Sequence, residues 1–170
     1  DKGSLFSPPL NVWHQHFNGG DKPVRYLAVT TAPTVIDLFH NPDFIFNNDF
    51  VFRDRYDAAE DYFTRNRWHP KRIWETNLVP DVPNLKLLEY RERGAGGTNV
   101  MFELADNTMA AHVSEFPVGT YKKGHRHGPG YQIVLLSGKG YSLMWREGEP
   151  WHKIDWHPGS FFVPPDQWFH

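Results

Sequence analysis

The chain contains no cysteine, which excludes disulfides, thiolate metal sites and a cysteine nucleophile. It also lacks a long apolar run: the longest, such as Ile133 to Leu136, span a few residues, and mean hydropathy is −0.60. A membrane-spanning helix needs about 20 apolar residues, so no membrane partner is expected. Neither sign of charge is in excess, with 18 Lys and Arg against 20 Asp and Glu for a net charge of −2. That balance argues against a nucleic-acid partner and leaves no acidic tail. No secretory signal is visible, and a cytoplasmic location is expected. The length, 170 residues, suits one ordinary domain with one sizeable core.

Aromatics and turn formers are plentiful. There are 13 Phe, 7 Trp and 7 Tyr, and 14 Gly and 14 Pro separate short β-leaning runs. This favours an all-β sandwich or barrel over a helical bundle. Ten histidines are also many for this length, and their spacing decides what they mean.

Three stretches emerge. In residues 1–39, Leu5-Phe6 reads as a short strand stopped by Pro8-Pro9. Val12–Phe17 and Val24–Thr30 read as further strands, separated by the turn Asn18-Gly19-Gly20-Asp21. Val35, Leu38 and Phe39 have helical spacing, limited by Pro42. Residues 40–84 read as a linker with a short helix over Asp57–Arg65, on the spacing of Tyr56, Ala59, Tyr62 and Phe63. Arg65, Arg67, Lys71 and Arg72 read as a solvated basic face, and Pro70, Pro80 and Pro83 interrupt any regular element up to residue 84.

Residues 85–170 alternate strands with Gly or Pro turns. The predicted strands are Leu85–Tyr90, Asn99–Leu104, Met109–Phe116, Tyr131–Leu136, Tyr141–Arg146, Trp151–Asp155, Ser160–Val163 and Trp168 onward. Short strands at this spacing suggest an antiparallel barrel or jelly roll.

An internal repeat links the two ends. Residues 3–14 align without a gap with residues 159–170, at an offset of 156 and with six of twelve positions identical. The shared residues include both prolines (Pro8-Pro9 and Pro164-Pro165) and the closing His14 and His170.

The strongest local signal is His125-Arg126-His127. Alternate side chains of a strand share a face, so both imidazoles can reach one cation while Arg126 points away. Gly119 lies six residues before His125 and Gly138 eleven after His127; Gly159, Pro165 and His170 come later in the chain. These spacings resemble the two motifs of the cupin superfamily. The first motif is matched at Gly119, His125, His127 and Gly138, with Tyr131 where Glu is expected. The second is matched at Gly159, Pro165 and His170, with Gln167 in place of Gly. The N-terminal copy supplies Pro9, His14 and Asn18, with Asn11 in place of Gly.

The resemblance implies an all-β cupin fold, a jelly-roll β-barrel. Residues 1–39 correspond to the C-terminal strands of a first cupin, 40–84 to the linker and 85–170 to a second cupin. A window of a longer bicupin is expected, or a single permuted barrel, or strand exchange in a homodimer; cupins commonly form homo-oligomers.

It also implies a divalent metal on His125, His127 and His170. With Tyr131 replacing the acidic ligand, the ion keeps its full charge and at least one open position, which favours an anionic oxygen ligand. Tyr131 is expected to face inward, as a donor behind the metal shell or as a plug. Gln132 reaches the site only after a register shift that turns every side chain over. His14 is a weaker ligand candidate, and His16 shares its face. The three-His pattern is similar to the gentisate and salicylate 1,2-dioxygenase group, which implies Fe(II) dioxygenase chemistry on a small aromatic or carboxylated substrate. The position of Tyr131 is small in that group, and neither Arg126 nor Arg146 is an evident carboxylate clamp. Zn, Mn or Ni fit the same donors in a non-oxidative isomerase, lyase or hydrolase, and Cu is a further candidate ion. A non-catalytic binding cupin with a degenerate site is the remaining reading.

Other residues have plainer roles. His112 reads as a core or surface histidine, and His40, His69, His152 and His157 as exposed. Trp145, Trp151, Trp156 and Trp168 read as barrel core or subunit contact. Gly94-Ala95-Gly96-Gly97 precedes no predicted helix, so it reads as a turn and not as a phosphate loop.

Overall fold

The computed structural model describes residues 3–54, 59–128 and 130–170. In chain order the elements are β1 (Leu5–Phe6), α1 (Ala32–Phe39), α2 (Asp43–Phe46), β2 (Arg67–His69), β3 (Ile73–Glu75), β4 (Leu78–Val79) and β5 (Leu88–Glu89). A 3-10 turn at Arg91–Arg93 precedes β6 (Thr98–Leu104) and β7 (Met109–Glu115). Then come β8 (Ile133–Val134), β9 (Gly140–Met144), β10 (His152–Trp156) and β11 (Phe161–Phe162). Strand exceeds helix, 26% against 9%, and the class is mainly β. Among the described residues the sheets do not close into a barrel, and no helix is long and apolar enough to cross a membrane.

The chain divides into two compact units: Asp1–Val82 with Val100–Val113, and Pro83–Asn99 with Ser114–His170. The first is built on β6. Its residues alternate as period 2 requires, with Val100, Phe102 and Leu104 buried while Met101 is 41% exposed. β3 runs parallel to β6, pairing Ile73, Trp74 and Glu75 with Met101, Phe102 and Glu103. β2 adds antiparallel to β3, and Trp68 stacks on Trp74 with ring centroids 5.3 Å apart. β4 pairs with β1 and buries Val79.

The buried amide of Asn77 in this unit is matched. The Asn77 side chain donates to the Tyr62 carbonyl at 3.1 Å and accepts from the Ala105 N–H at 2.7 Å, which removes the penalty for burying an amide.

Residues 40–84 therefore carry more than the predicted linker and helix. The β2–β3 hairpin turns through Pro70-Lys71-Arg72, with φ of 64° at Lys71 and 67° at Arg72. Left-handed turn positions normally go to Gly or Asn, so a Pro-Lys-Arg loop hid the hairpin. At the predicted helix, Tyr56, Asp57 and Ala58 lie outside the described residues, and residues 60–64 form successive turns. The predicted strands Val12–Phe17 and Val24–Thr30 are not strands: Val24, Tyr26, Leu27 and Val29 stand exposed with no ladder. β-propensity reports fit to a cross-strand neighbour, and among the described residues none pairs there.

In the second unit β9 and β10 form an antiparallel hairpin that places Trp156 opposite Gly140. A Cβ at Gly140 would lie 2.5 Å from the Trp156 ring, so glycine is required for that packing. β8 pairs with β11, and Trp145 pairs with Phe169 while their rings stack. Trp145, Trp156 and Trp168 are half-buried, whereas Trp151 is exposed.

The sequence repeat is also a conformational one. Gly3 and Gly159 have φ of 86° and 85°, and Asn11 and Gln167 have φ of 50° and 59°. β1 and β11 occupy equivalent positions, as do the turns at 10–11 and 166–167. The two departures from the second-motif glycine, Asn11 and Gln167, thus adopt the left-handed backbone that a glycine takes most easily.

Candidate metal centre

The second unit brings His125, His127 and His170 together, with one ligand atom from each within 4.8 Å of the others. Backbone pairing sets the distance between two of them. The His125 N–H donates to the His170 carbonyl at 3.0 Å, and the His170 N–H donates to the His125 carbonyl at 3.0 Å. Residues opposed in this way across antiparallel strands share a face, and the two rings stand 4.3 Å apart. His127 lies two residues on from His125, on the same face, with its ring 5.4 Å from His125 and 5.5 Å from His170.

Two of the rings are oriented by carbonyl groups. His125 Nδ1 lies 3.2 Å from the Lys123 carbonyl and His170 Nδ1 lies 3.3 Å from that of Trp168. With Nδ1–H donating, Nε2 carries the lone pair, an arrangement common around ligating histidines because it fixes both tautomer and ring orientation. His14 repeats the pattern, with Nδ1 2.9 Å from the Val12 carbonyl.

Burial holds His125 and His170 unprotonated. Burial is the largest cause lowering the His125 pKa from 6.5 to about 4; the Arg93 charge and the rings of His170 and His127 add to it, and the bond to the Lys123 carbonyl opposes it. His170 is lowered too, chiefly by burial, against its bond to Trp168 and with help from His127, Arg93 and Lys122. A neutral imidazole is the form a cation needs. Because the folded value of His125 lies below its unfolded value, the unfolded chain binds more protons between pH 6.5 and 4. That contribution to stability is present above pH 6.5 and is lost as pH falls through about 4. The urea midpoint of the metal-free protein is expected to fall across this window, and less steeply in His125→Gln.

Tyr131 and Gln132 separate as strand alternation requires. The Tyr131 ring stands 4.4 Å from His127 and 4.8 Å from His170, whereas Gln132 is exposed. The Tyr131 hydroxyl is buried and makes no hydrogen bond among the described residues. Burial pushes its pKa well above the ordinary phenol range.

Arg126 turns away from the histidines. Its guanidinium lies 4.9 Å from the Phe169 ring centroid and 3.4 Å from Glu147. Arg146 lies over Trp168 at 5.6 Å. Cations that act on the site are Lys122, through His170, and Arg93, which is half-buried and whose carbonyl accepts from the Lys123 N–H at 2.8 Å. Sequence reasoning missed it, because Arg93 belongs to neither motif and lies 32 residues before His125. The nearest signal is Gly94, whose φ of 147° and tight approach to the Tyr121 carbonyl hold this turn against the segment leading to His125.

His14 is not in the cluster. It lies in the first unit, with its ring 5.3 Å from His16, on a cavity of about 490 Å³ that Phe6, Trp13 and Phe63 also line. Of the remaining histidines, His40, His112, His152 and His157 are exposed. His69, expected to be exposed, is half-buried and bonded to Glu75 at 2.8 Å.

The donor set suits a divalent ion of the imidazole-binding class. Three neutral nitrogens leave its charge uncompensated and leave room for further ligands. No protein-family model, curated protein or solved structure gives a significant match to this chain.

Proposed function

We propose that this protein is a metal-dependent, cupin-like enzyme that holds a divalent cation on His125, His127 and His170. The convergence of three imidazole donors within 4.8 Å, on a face set by backbone pairing, is the observation that carries this reading. The preferred ion is Fe(II), and the preferred chemistry is dioxygenation of a small aromatic or carboxylated molecule. Fe(II) bound there would supply oxygen activation, and three protein donors leave open positions for substrate and O2. The chain's own contribution is to fix the ligand tautomers through the Lys123 and Trp168 carbonyls and to supply positive potential from Arg93.

The test is oxygen consumption by anaerobically Fe(II)-loaded protein challenged with a panel of hydroxylated aromatic carboxylates. Substrate-dependent uptake that disappears in His127→Ala supports the proposal. Full Fe(II) loading with no uptake across the panel would overturn the dioxygenase assignment, and hydrolysis or isomerisation by Zn(II)-loaded protein would replace it.

A further inference from the structure

We infer that the Tyr131 hydroxyl donates a hydrogen bond to the ligand that completes the metal shell, and so selects small organic oxyanions, a carboxylate or a phenolate. The inference rests on the metal reading above and assigns the chemistry of the open position.

Three observations converge on it. Among the described residues the hydroxyl is buried and makes no hydrogen bond, while the ring packs against two of the three donors, His127 and His170. A buried polar group is normally paired, and a native exception at a cluster of ligating side chains points to a partner that arrives with the ligand. The local charge selects that partner's sign: three neutral imidazoles leave a divalent ion with its whole charge, and Arg93 adds a further positive charge nearby. Arg93 opposes a bare cation but favours a cation carrying an anion. An oxygen anion keeps a lone pair after binding a metal and can accept from Tyr131; a neutral nitrogen heterocycle has none left on its bound atom. Tyr131 is therefore a positioning residue for the substrate anion.

The alternative role, a steric plug, depends on the ring alone. Tyr131→Phe keeps the ring and removes only the donor, so it separates the two.

The experiment uses the full chain loaded with Co(II), whose visible bands report ligand exchange, and titrates acetate and imidazole separately. In Tyr131→Phe, acetate affinity is expected to fall about tenfold, as for loss of one charge-assisted hydrogen bond. Co(II) affinity and imidazole affinity should stay as in the wild type, which a general disturbance of the site would not allow. Equal acetate affinity in the two proteins overturns the inference and leaves the metal reading standing. Tighter acetate binding in Tyr131→Phe overturns it likewise. Failure of the wild type to form a Co(II) complex overturns the metal reading and this inference together.

Discussion

Truncating His127 to Ala is expected to weaken Zn(II) binding by more than about 100-fold, because loss of a mere outer-shell partner already costs roughly 10–100-fold. Only His125 and His170 remain in that variant, and two neutral donors leave most of the ion's shell to solvent. His127 is the best choice of the three. It is exposed, and its backbone takes no part in the reciprocal bonds between His125 and His170, so its removal leaves that pairing intact. His157→Ala is the control: it is exposed and, among the described residues, its ring bonds to the adjacent Pro158 carbonyl alone. Competition against a chromophoric chelator, with circular dichroism to check folding, measures both. An affinity in His127→Ala within a few-fold of wild type contradicts the site.

The second large effect concerns the core of the first unit. Phe102 is fully buried on β6 and packs against Trp74 with ring centroids 5.8 Å apart. Phe102→Ala is expected to cost about 3–5 kcal/mol, through lost transfer energy and a cavity that the fixed β3–β6 pairing cannot collapse. Its neighbour Met101 points the other way and is 41% exposed, so Met101→Ala is expected to cost less than about 1 kcal/mol. Urea unfolding of the two variants reads the difference. Similar midpoints would mean that the inward and outward faces of β6 are not those described.

The contrast shows why some elements were legible in the sequence. β6 and β7 are long enough to display period 2, and their bounds fall within a residue of those predicted. β8 to β11 were recognisable between Gly and Pro turns, although β8, β9 and β11 are shorter than predicted and β10 is shifted by one residue. α1 carries the predicted helical spacing and ends before Pro42.

The failures have local physical causes. The β2–β3 hairpin turns on left-handed Lys71 and Arg72, residues that signal no turn, and the parallel β3–β6 pairing joins segments 28 residues apart, as at Ile73 and Met101. Val24–Thr30 has strand composition without a strand beside it. At the site, the His-x-His spacing and the repeat led to His125, His127 and His170. The approach of Arg93 and the unpaired hydroxyl of Tyr131 depend on three-dimensional packing, which spacing along the chain does not encode.

X-ray absorption at the zinc edge of the Zn(II)-loaded protein counts the imidazoles that His125, His127 and His170 place on the ion. Three imidazole nitrogens at about 2.0–2.1 Å are expected in the wild type, and two in His127→Ala. One imidazole or none in the wild type, or the same number in both proteins, would contradict the three-histidine site.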